Sequence, residues 1–223
     1  MREVADGVFE IGIGFVNAYL VVVDDGVVLV DTGLPGRTAK IEEALHEARR
    51  KVGDVRTILL THRHPDHVGG AAVLHRESGA RVVAHVADAP AITGERPAPA
   101  AGPMRLVALF VKPPEPVPVD ETLTADGPIS VPGFSVVHTP GHTAGHVSYL
   151  LDRGGGVLFA GDAAGGGRNG KVRRTPSFLN DDATSAAASL ARLAGLEFDV
   201  AVFGHGRAIT GRAVDRFREY LAH

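Results

Sequence analysis

Three histidines and one aspartate lie within six residues, at His62, His64, Asp66 and His67, directly after the apolar run 55–60. The run predicts a strand, so the cluster begins where that strand ends. Imidazole nitrogens and carboxylate oxygens are ligands that suit zinc and related divalent ions. Four such donors so close together would be costly to bury without partners. We therefore predict a metal site at the end of this strand, in preference to a group of solvated histidines.

Three later segments repeat this arrangement, since in each an apolar strand and a glycine turn precede a polar donor. The donors are His142, Asp162 and His205. The cluster at 62–67 is too small to fill two metal sites, which makes these residues candidates for the remaining ligands. Gly141, just before His142, would let the backbone approach an ion closely. Each segment alone is weak evidence, and the order of all three behind the first cluster is what indicates a binding site.

These motifs together resemble those of the metallo-β-lactamase fold superfamily of metallohydrolases, in its hydroxyacylglutathione hydrolase and lactonase-like branch. The resemblance is carried by the cluster at 61–70, the segments 17–21 and 28–33, the motif 141–146 and the His205 turn, so it covers nearly the whole chain. It implies an α/β (α+β) fold, a four-layer αββα sandwich in which each of two sheets is covered by helices.

The resemblance also implies a role for each donor. The ligands of a first metal ion are implied at His62, His64 and His142. Those of a second ion are implied at Asp66, His67 and His205, with Asp162 bridging both ions. Asp31 matches a buried aspartate of the family, whose role would be to orient a ligand or its loop by hydrogen bonding. The alternative for Asp31 is a cap on the turn at 32–33.

The reaction implied by the resemblance is hydrolysis. Two divalent ions, zinc in preference to manganese or iron, would share a hydroxide that attacks a small ester, thioester or lactone. Asp66 is implied as a catalytic residue too, passing a proton to the leaving group. The alternative is an oxidoreductase with a single iron, similar to the persulfide dioxygenases, which share the fold and much of the ligand pattern. The presence of His67 and His205 favours two metals, and the motif by itself leaves iron open.

Departures from the family pattern narrow this prediction. The chain has no cysteine, so thiolate ligands and disulfides are excluded. The best-known lactam-hydrolysing branch uses a cysteine where this chain has Asp162, and another branch lacks the bridging aspartate, so a classical β-lactamase is not expected. The 223 residues do not include the C-terminal helical domain with which hydroxyacylglutathione hydrolases bind glutathione. No tyrosine follows Asp162 as in typical acyl-homoserine lactonases, and the substrate stays open.

A glycine-rich basic loop follows Asp162, with Arg173 and Arg174 at its end, after Arg168 and Lys171. Two divalent ions, two carboxylates and a hydroxide would leave the neighbouring site mildly cationic. We expect Arg173 and Arg174 to contact a small-molecule substrate that carries a carboxylate or another anion. The alternative is a set of solvated charges on a surface loop.

The segment 93–118 interrupts the regular pattern, since it is rich in proline and alanine and has one apolar run, 104–111. Long irregular stretches inside compact domains are often lids. Leu106, Leu109 and Phe110 are therefore predicted to form an apolar wall for the substrate. A dimer contact and a short helix docked on the core are the alternatives.

Composition restricts the class of protein further. The net charge of −3 gives no basic surface for nucleic acid. No apolar stretch approaches the ~20 residues needed to span a membrane, and residues 1–7 lack the apolar core of a signal peptide. We expect a single domain over 1–223, located in the cytoplasm, as a monomer or homodimer.

The hydrophobic pattern distributes the donors over two similar halves. Strands are predicted at 8–13, 17–23, 27–31, 56–60 and 81–85, and again at 134–138, 147–151, 156–160 and 199–203. Helices are predicted near 37–51, 68–78, 182–194 and 211–221. Each half would then be a sheet covered by helices, and the duplication itself is implied by the family resemblance.

Overall fold

Two β-sheets form the centre of the protein, which a computed structural model describes over residues 1–97 and 113–222. The first sheet has seven strands, which neighbour one another in chain order: β1 (Arg2–Ala5), β2 (Val8–Ile13), β3 (Val16–Val23), β4 (Gly26–Val30), β5 (Val55–Leu59), β6 (Arg81–His85) and β7 (Glu121–Leu123). The second sheet begins with β8 (Gly127–Pro128), β9 (Phe134–His138), β10 (Val147–Leu151) and β11 (Val157–Phe159). A hairpin of β12 (Gly165–Gly166) and β13 (Val172–Arg173) stands apart from both sheets. The second sheet is completed by β14 (Val200–Val202) and β15 (Ile209–Thr210), which lie beyond β11.

Helices lie on the outer faces of the two sheets. They are α1 (Ala39–Glu47), α2 (Pro65–Val68), α3 (Ala71–Ser78), α4 (Ala89–Ile92), α5 (Ala183–Leu193) and α6 (Ala213–Leu221). Ile41 and Leu74 pack the first helices against one sheet, and Leu190 and Phe217 pack α5 and α6 against the other. No helix in the described residues combines the length and the apolar character needed to cross a membrane.

A third apolar layer lies between the sheets. Tyr19 and Val28 of the first sheet contact the same buried cluster as Tyr149 and Phe159 of the second. Because alternate side chains of a strand point to opposite faces, each sheet can pack on helices with one face and on the other sheet with its second face. The predicted αββα sandwich is confirmed.

Strand direction in the first sheet brings polar residues together at one edge. β4, β5 and β6 run parallel, so their carboxyl ends meet at the same edge. Asp31 follows β4, the cluster at 62–67 follows β5, and Asp88 follows β6.

The second sheet does the same from the opposite side of the sandwich. β11 is parallel to β14, and β10 is antiparallel to both β9 and β11, so β9, β11 and β14 point in one direction. His142, Asp162 and His205 follow these three strands. Loops from both sheets therefore supply the polar residues of one site.

Two predicted helices differ from those observed. The helix predicted at 68–78 is interrupted at Gly69 and Gly70, where an added Cβ would overlap Pro35 and Thr32. The glycine pair thus allows close contact with the turn that follows β4. The helix predicted at 37–51 is shorter at both ends, and Arg49 has a positive φ of 56° that lies outside helical geometry.

The structure also describes the basic stretch after Asp162 and part of the segment 93–118. The basic stretch after Asp162 is a hairpin of β12 and β13 and not a loop, and its two-residue strands are too short to show an alternating pattern. Of the predicted lid 93–118, Val117 is buried in the core of the first sheet, and its N–H donates to the Ile92 carbonyl at 3.1 Å. Leu106, Leu109 and Phe110 lie outside the described residues, so the lid stays a prediction.

Candidate metal centre

Three imidazole nitrogens converge at the edge where the two sheets meet. His62 Nε2 lies 3.0 Å from His64 Nδ1, which in turn lies 2.9 Å from His142 Nε2. His62 and His142 are buried, and all three rings meet at this point although His142 follows the others by about eighty residues of chain. We call these three residues the first ligand group.

Hydrogen bonds determine which nitrogens of the first group carry lone pairs. The Thr61 hydroxyl donates to Asp31 Oδ2 at 2.8 Å, so it can only accept from His62 Nδ1, which is 3.0 Å away. His142 Nδ1 donates to the Asn180 side-chain oxygen at 3.1 Å. The Nε2 atoms of His62 and His142 are therefore unprotonated and point toward His64.

Burial keeps the first group uncharged. Loss of hydration lowers the pKa of His64 to about 3, and it lowers the pKa values of His62 and His142 as well. The lone pairs of His62 Nε2 and His142 Nε2 are thus directed at the position of His64 Nδ1, and three neutral imidazoles that meet in this way can together hold a cation.

The second ligand group consists of Asp66, His67 and His205. Asp66 Oδ2 lies 3.4 Å from His205 Nε2 and 3.8 Å from His67 Nε2. Asp162 lies between the two groups, because its Oδ2 is 3.3 Å from both His142 Nε2 and His205 Nε2. This group is more open than the first, with 22% of the Asp66 side chain and 33% of the His205 side chain exposed.

Charge distinguishes the second group from the first. Although burial disfavours a charged ring, the carboxylates of Asp162 and Asp31 raise the pKa of His67 to about 9. Burial acts in the same direction on His205, but hydrogen bonds to Asp162 and Asp66 raise the pKa of His205 to about 11. The charged rings in turn hold the pKa of Asp162 well below its usual range despite its burial. Protons therefore supply the positive charge that the carboxylates require when no cation is bound.

Asp31 is connected to both groups by hydrogen bonds. Its Oδ1 accepts the Thr61 backbone N–H at 2.8 Å, and its Oδ2 accepts His67 Nδ1–H at 2.7 Å together with the Thr61 hydroxyl. One carboxylate thus holds the His67 ring directly through Nδ1–H and sets the tautomer of His62 through Thr61. Asp31 has a positive φ of 58°, a strained conformation for a residue with a side chain.

The donor set fits divalent cations. Among the described residues, His67 Nε2 and Asp162 Oδ1 are buried without any hydrogen-bond partner, 3.6 Å from each other. Buried polar atoms nearly always have a partner, so this pair indicates a ligand between them. A Cβ at Gly204 would overlap Asp162 Oδ1 and His67, so glycine at this position keeps the space open.

Four residues to which the sequence assigned no role support the site. Asn180 fixes His142, Thr61 fixes His62, and Arg63 forms a buried ion pair with Asp88. A fifth, His146, belongs to the 141–146 motif, yet its Nε2 accepts the backbone N–H of Asp162 at 2.9 Å and so holds the carboxylate's loop. The position of His146 at the start of a buried strand was the signal in the sequence that could have indicated this supporting role.

The structure gives Gly141 a role in packing. Its φ is +127°, and an added Cβ would overlap the backbone of Ala186 in α5. The glycine therefore makes room for a helix. Its approach to an ion stays a prediction.

The predicted substrate contacts in the described residues are Arg173 and Arg174, at the end of the basic stretch. Arg173 and Arg174 are exposed on the hairpin of β12 and β13. The Gly166 N–H of this hairpin donates to the His205 carbonyl at 3.0 Å. The basic hairpin is therefore attached to the loop that carries His205.

Comparison with known proteins identifies the family. The model of the metallo-beta-lactamase superfamily matches residues 11–205. The chain belongs to the metallo-beta-lactamase superfamily. "Probable metallo-hydrolase YflN" of Bacillus subtilis (strain 168) is 30% identical over 94% of this chain and 88% of its own length. The predicted enzyme class, a metal-dependent hydrolase of this superfamily, is confirmed.

Hydroxyacylglutathione hydrolases are related over part of their length. The enzyme of Halorhodospira halophila (strain DSM 244 / SL1) is 33% identical over 75% of this chain and 52% of its own length. The chain thus spans about half the length of such relatives.

Solved structures agree with the family assignment. A Cronobacter sakazakii metallo-beta-lactamase is 26% identical, with a TM-score of 0.72 over 92% of this chain and 80% of that one. MEM-A1, a subclass B3 metallo-beta-lactamase from a soil metagenome library, has a TM-score of 0.75 over 99% of this chain and 91% of that one. At 23% identity, the second likeness shows the fold alone.

Proposed function

We propose that this chain is a dinuclear metal-dependent hydrolase that cleaves a small ester, thioester or lactone. The first ion would be held by His62, His64 and His142, and the second by Asp66, His67 and His205. Asp162 would serve both ions. The observation that carries the proposal is the position of Asp162 Oδ2, 3.3 Å from a nitrogen of each group.

When bound, two divalent ions would supply an activated water at neutral pH and would polarise the bond under attack. Zinc is the ion that we favour, and manganese and iron suit the same nitrogen and oxygen donors. Both ligand groups are complete in the described residues, which supports two ions over the single iron of a persulfide dioxygenase.

Asp66 is the residue of this chain that we assign to proton transfer. The ion pairs of Asp66 with His205 and His67 run through Oδ2, and 22% of the Asp66 side chain is exposed. This partly exposed carboxylate would take up a proton and pass it to the leaving group. Without a bound ion, the hydrogen bond from His205 lowers the pKa of Asp66 even though burial opposes this, so the carboxylate is ionised.

The substrate that we favour is small and anionic. Arg173 and Arg174 are exposed on a hairpin bonded to the His205 loop, and Lys171 adds a third cation. An approaching carboxylate would be attracted to this side of the site. The relatives above are named for hydroxyacylglutathione, which is a thioester, and this name is compatible with the proposed substrate class. A small molecule as partner, a cytoplasmic location and a monomer or homodimer remain predictions.

The proposal is tested by counting metals and measuring hydrolysis on the same samples. We expect about two equivalents of zinc per wild-type chain and hydrolysis of at least one anionic lactone, ester or thioester. His142→Ala and His205→Ala should each retain one equivalent and lose turnover by about 1000-fold. His46→Ala, an exposed histidine on α1, is the matched control and should behave like wild type.

The same samples distinguish the alternative. One iron per chain, no second ion on titration and uptake of oxygen with a persulfide would overturn the hydrolase in favour of the dioxygenase. Two bound ions without hydrolysis of any tested class would contradict the substrate assignment.

A further inference from the structure

A second buried carboxylate, Asp88, contacts the loops that carry the first ligand group. It follows β6, is fully buried, and forms an ion pair with Arg63 through Oδ1 at 2.8 Å. Arg63 lies between His62 and His64 in the chain, and 3% of its side chain is exposed. Burying an ion pair seldom adds net stability, so this pair calls for a reason beyond holding the fold together.

The hydrogen bonds of Asp88 reach two ligand loops. Oδ2 accepts the Arg63 backbone N–H at 3.0 Å and the Thr143 hydroxyl at 2.6 Å. Oδ1 accepts the Gly145 backbone N–H at 3.1 Å besides the Arg63 guanidinium. One loop carries His62 and His64, and the other carries His142.

Two more contacts extend the arrangement. A Cβ on Gly145 would overlap Asp88, so the glycine in this loop is required for its close approach to the carboxylate. The second guanidinium nitrogen of Arg63 donates to Asp181 at 2.7 Å, and the neighbouring Asn180 accepts the Nδ1–H of His142. Every ligand of the first group is thus held through Asp88 or through Arg63.

The side-chain contacts of Asp88 and Arg63 in the described residues do not include Asp66, His67 or His205. Two of those ligands have other partners. His67 is held by Asp31. His205 donates Nδ1–H to the Phe15 carbonyl at 2.9 Å and forms an ion pair with Asp162. The two carboxylates and one cation of Asp88, Asp181 and Arg63 also sum to one negative charge. That charge lies beside a group of three neutral rings, where it would favour a bound cation.

We propose that Asp88 and Arg63 are positioning residues for the first metal ion, setting the distance between the loop of His62 and His64 and the loop of His142. This inference rests on the proposed dinuclear site. It predicts that losing Asp88 weakens metal binding at the first group and leaves the second group unaffected.

The test measures zinc affinity at each group separately, by competition with a chromophoric chelator. In a His205→Ala background the first group remains, and in a His142→Ala background the second remains. Asp88→Asn should lower zinc affinity by about 10–100-fold in the first background and by less than about threefold in the second, the range seen when a partner of a metal ligand is lost. Asp126→Asn, which removes the exposed carboxylate partner of Arg192, is the control and should change neither affinity.

A second variant guards against failure of Asp88→Asn to fold. Thr143→Val keeps the Arg63–Asp88 pair and removes a single donor, so its loss should be smaller, about 3–10-fold, and confined to the first group. Equal losses in both backgrounds, or no loss with either variant, would overturn the positioning role. Wild-type protein that binds no zinc would overturn the proposed function, and this inference with it.

Discussion

The two ligand groups lie side by side at one edge of the sandwich, yet they differ in charge. In the first group His62 and His142 are buried and His64 is half-buried, and loss of hydration lowers the pKa values of all three rings. The second group has two half-open members, Asp66 and His205, and its histidines are kept protonated by carboxylates. The number of nearby carboxylates decides this, since burial acts in the same direction on all the rings. Metal can bind the first group directly, whereas at the second it must displace protons.

We expect the largest difference between the two groups from a substitution at Gly204, which borders the second group. A Cβ there would overlap Asp162 Oδ1 and His67. We expect Gly204→Ala to lower zinc affinity at the second group and turnover by about 100-fold each, since displacements of about 1 Å are enough for that loss. Zinc affinity at the first group, measured in the His205→Ala background, should change by less than about tenfold.

Gly12→Ala is the matched control for this substitution. Gly12 is exposed in β2, and a Cβ there meets nothing within 4 Å. If Gly204→Ala kept both ions and full turnover, the second group would not have the geometry described here.

The two groups should also differ in how their zinc affinity depends on pH. At pH 7 the rings of His67 and His205 carry protons, because their pKa values are raised to about 9 and about 11. Binding of zinc at the second group should release about two protons per ion, so its affinity should rise by up to about 100-fold per pH unit. The rings of the first group are already neutral at pH 7, so its affinity should stay flat from pH 7 to 8.

Zinc titrations in the His142→Ala and His205→Ala backgrounds, at several pH values, measure the two slopes. Calorimetry in buffers of different ionisation enthalpy counts the protons. Equal slopes for both groups would show that the charge difference between them is absent.

The smallest expected effect concerns the basic hairpin attached to the loop of His205. We expect the double variant Arg173→Ala, Arg174→Ala to raise KM for an anionic substrate by about 5–10-fold and to leave kcat unchanged, since it would remove attraction and not chemistry. KM for a neutral analogue should not move. Arg216→Ala, on the exposed face of α6, is the control. Equal changes in KM for the charged and the neutral substrate would contradict the proposed preference for an anionic substrate.

The sequence predicted the framework of the site because its signals are local. Each donor follows a strand directly, and parallel strands deliver such residues to one edge, so the positions of His62, His142 and Asp162 could be anticipated from chain order. The nine predicted strands all occur in the structure, with ends shifted by at most one residue. The short strands of the 165–173 hairpin were missed because two residues show no periodicity.

The supporting residues could not be predicted in the same way, because their partners are distant in the chain. Asp88 bonds Thr143, 55 residues later, and Asn180 bonds His142, 38 residues earlier. No spacing rule connects such positions before the strands are placed.

The sequence by itself determined the donor types, their order and the strands that precede them, since those depend on residue chemistry and on hydrophobic periodicity along the chain. The fold class was implied by the resemblance of its motifs to the superfamily. The tertiary structure decided which nitrogen of each ring is free, which rings are charged, and why Gly141 and Gly145 have no side chain. Those properties depend on burial and on contacts between segments such as α5, Asp31 and Asp88, which meet only when the two sheets pack together.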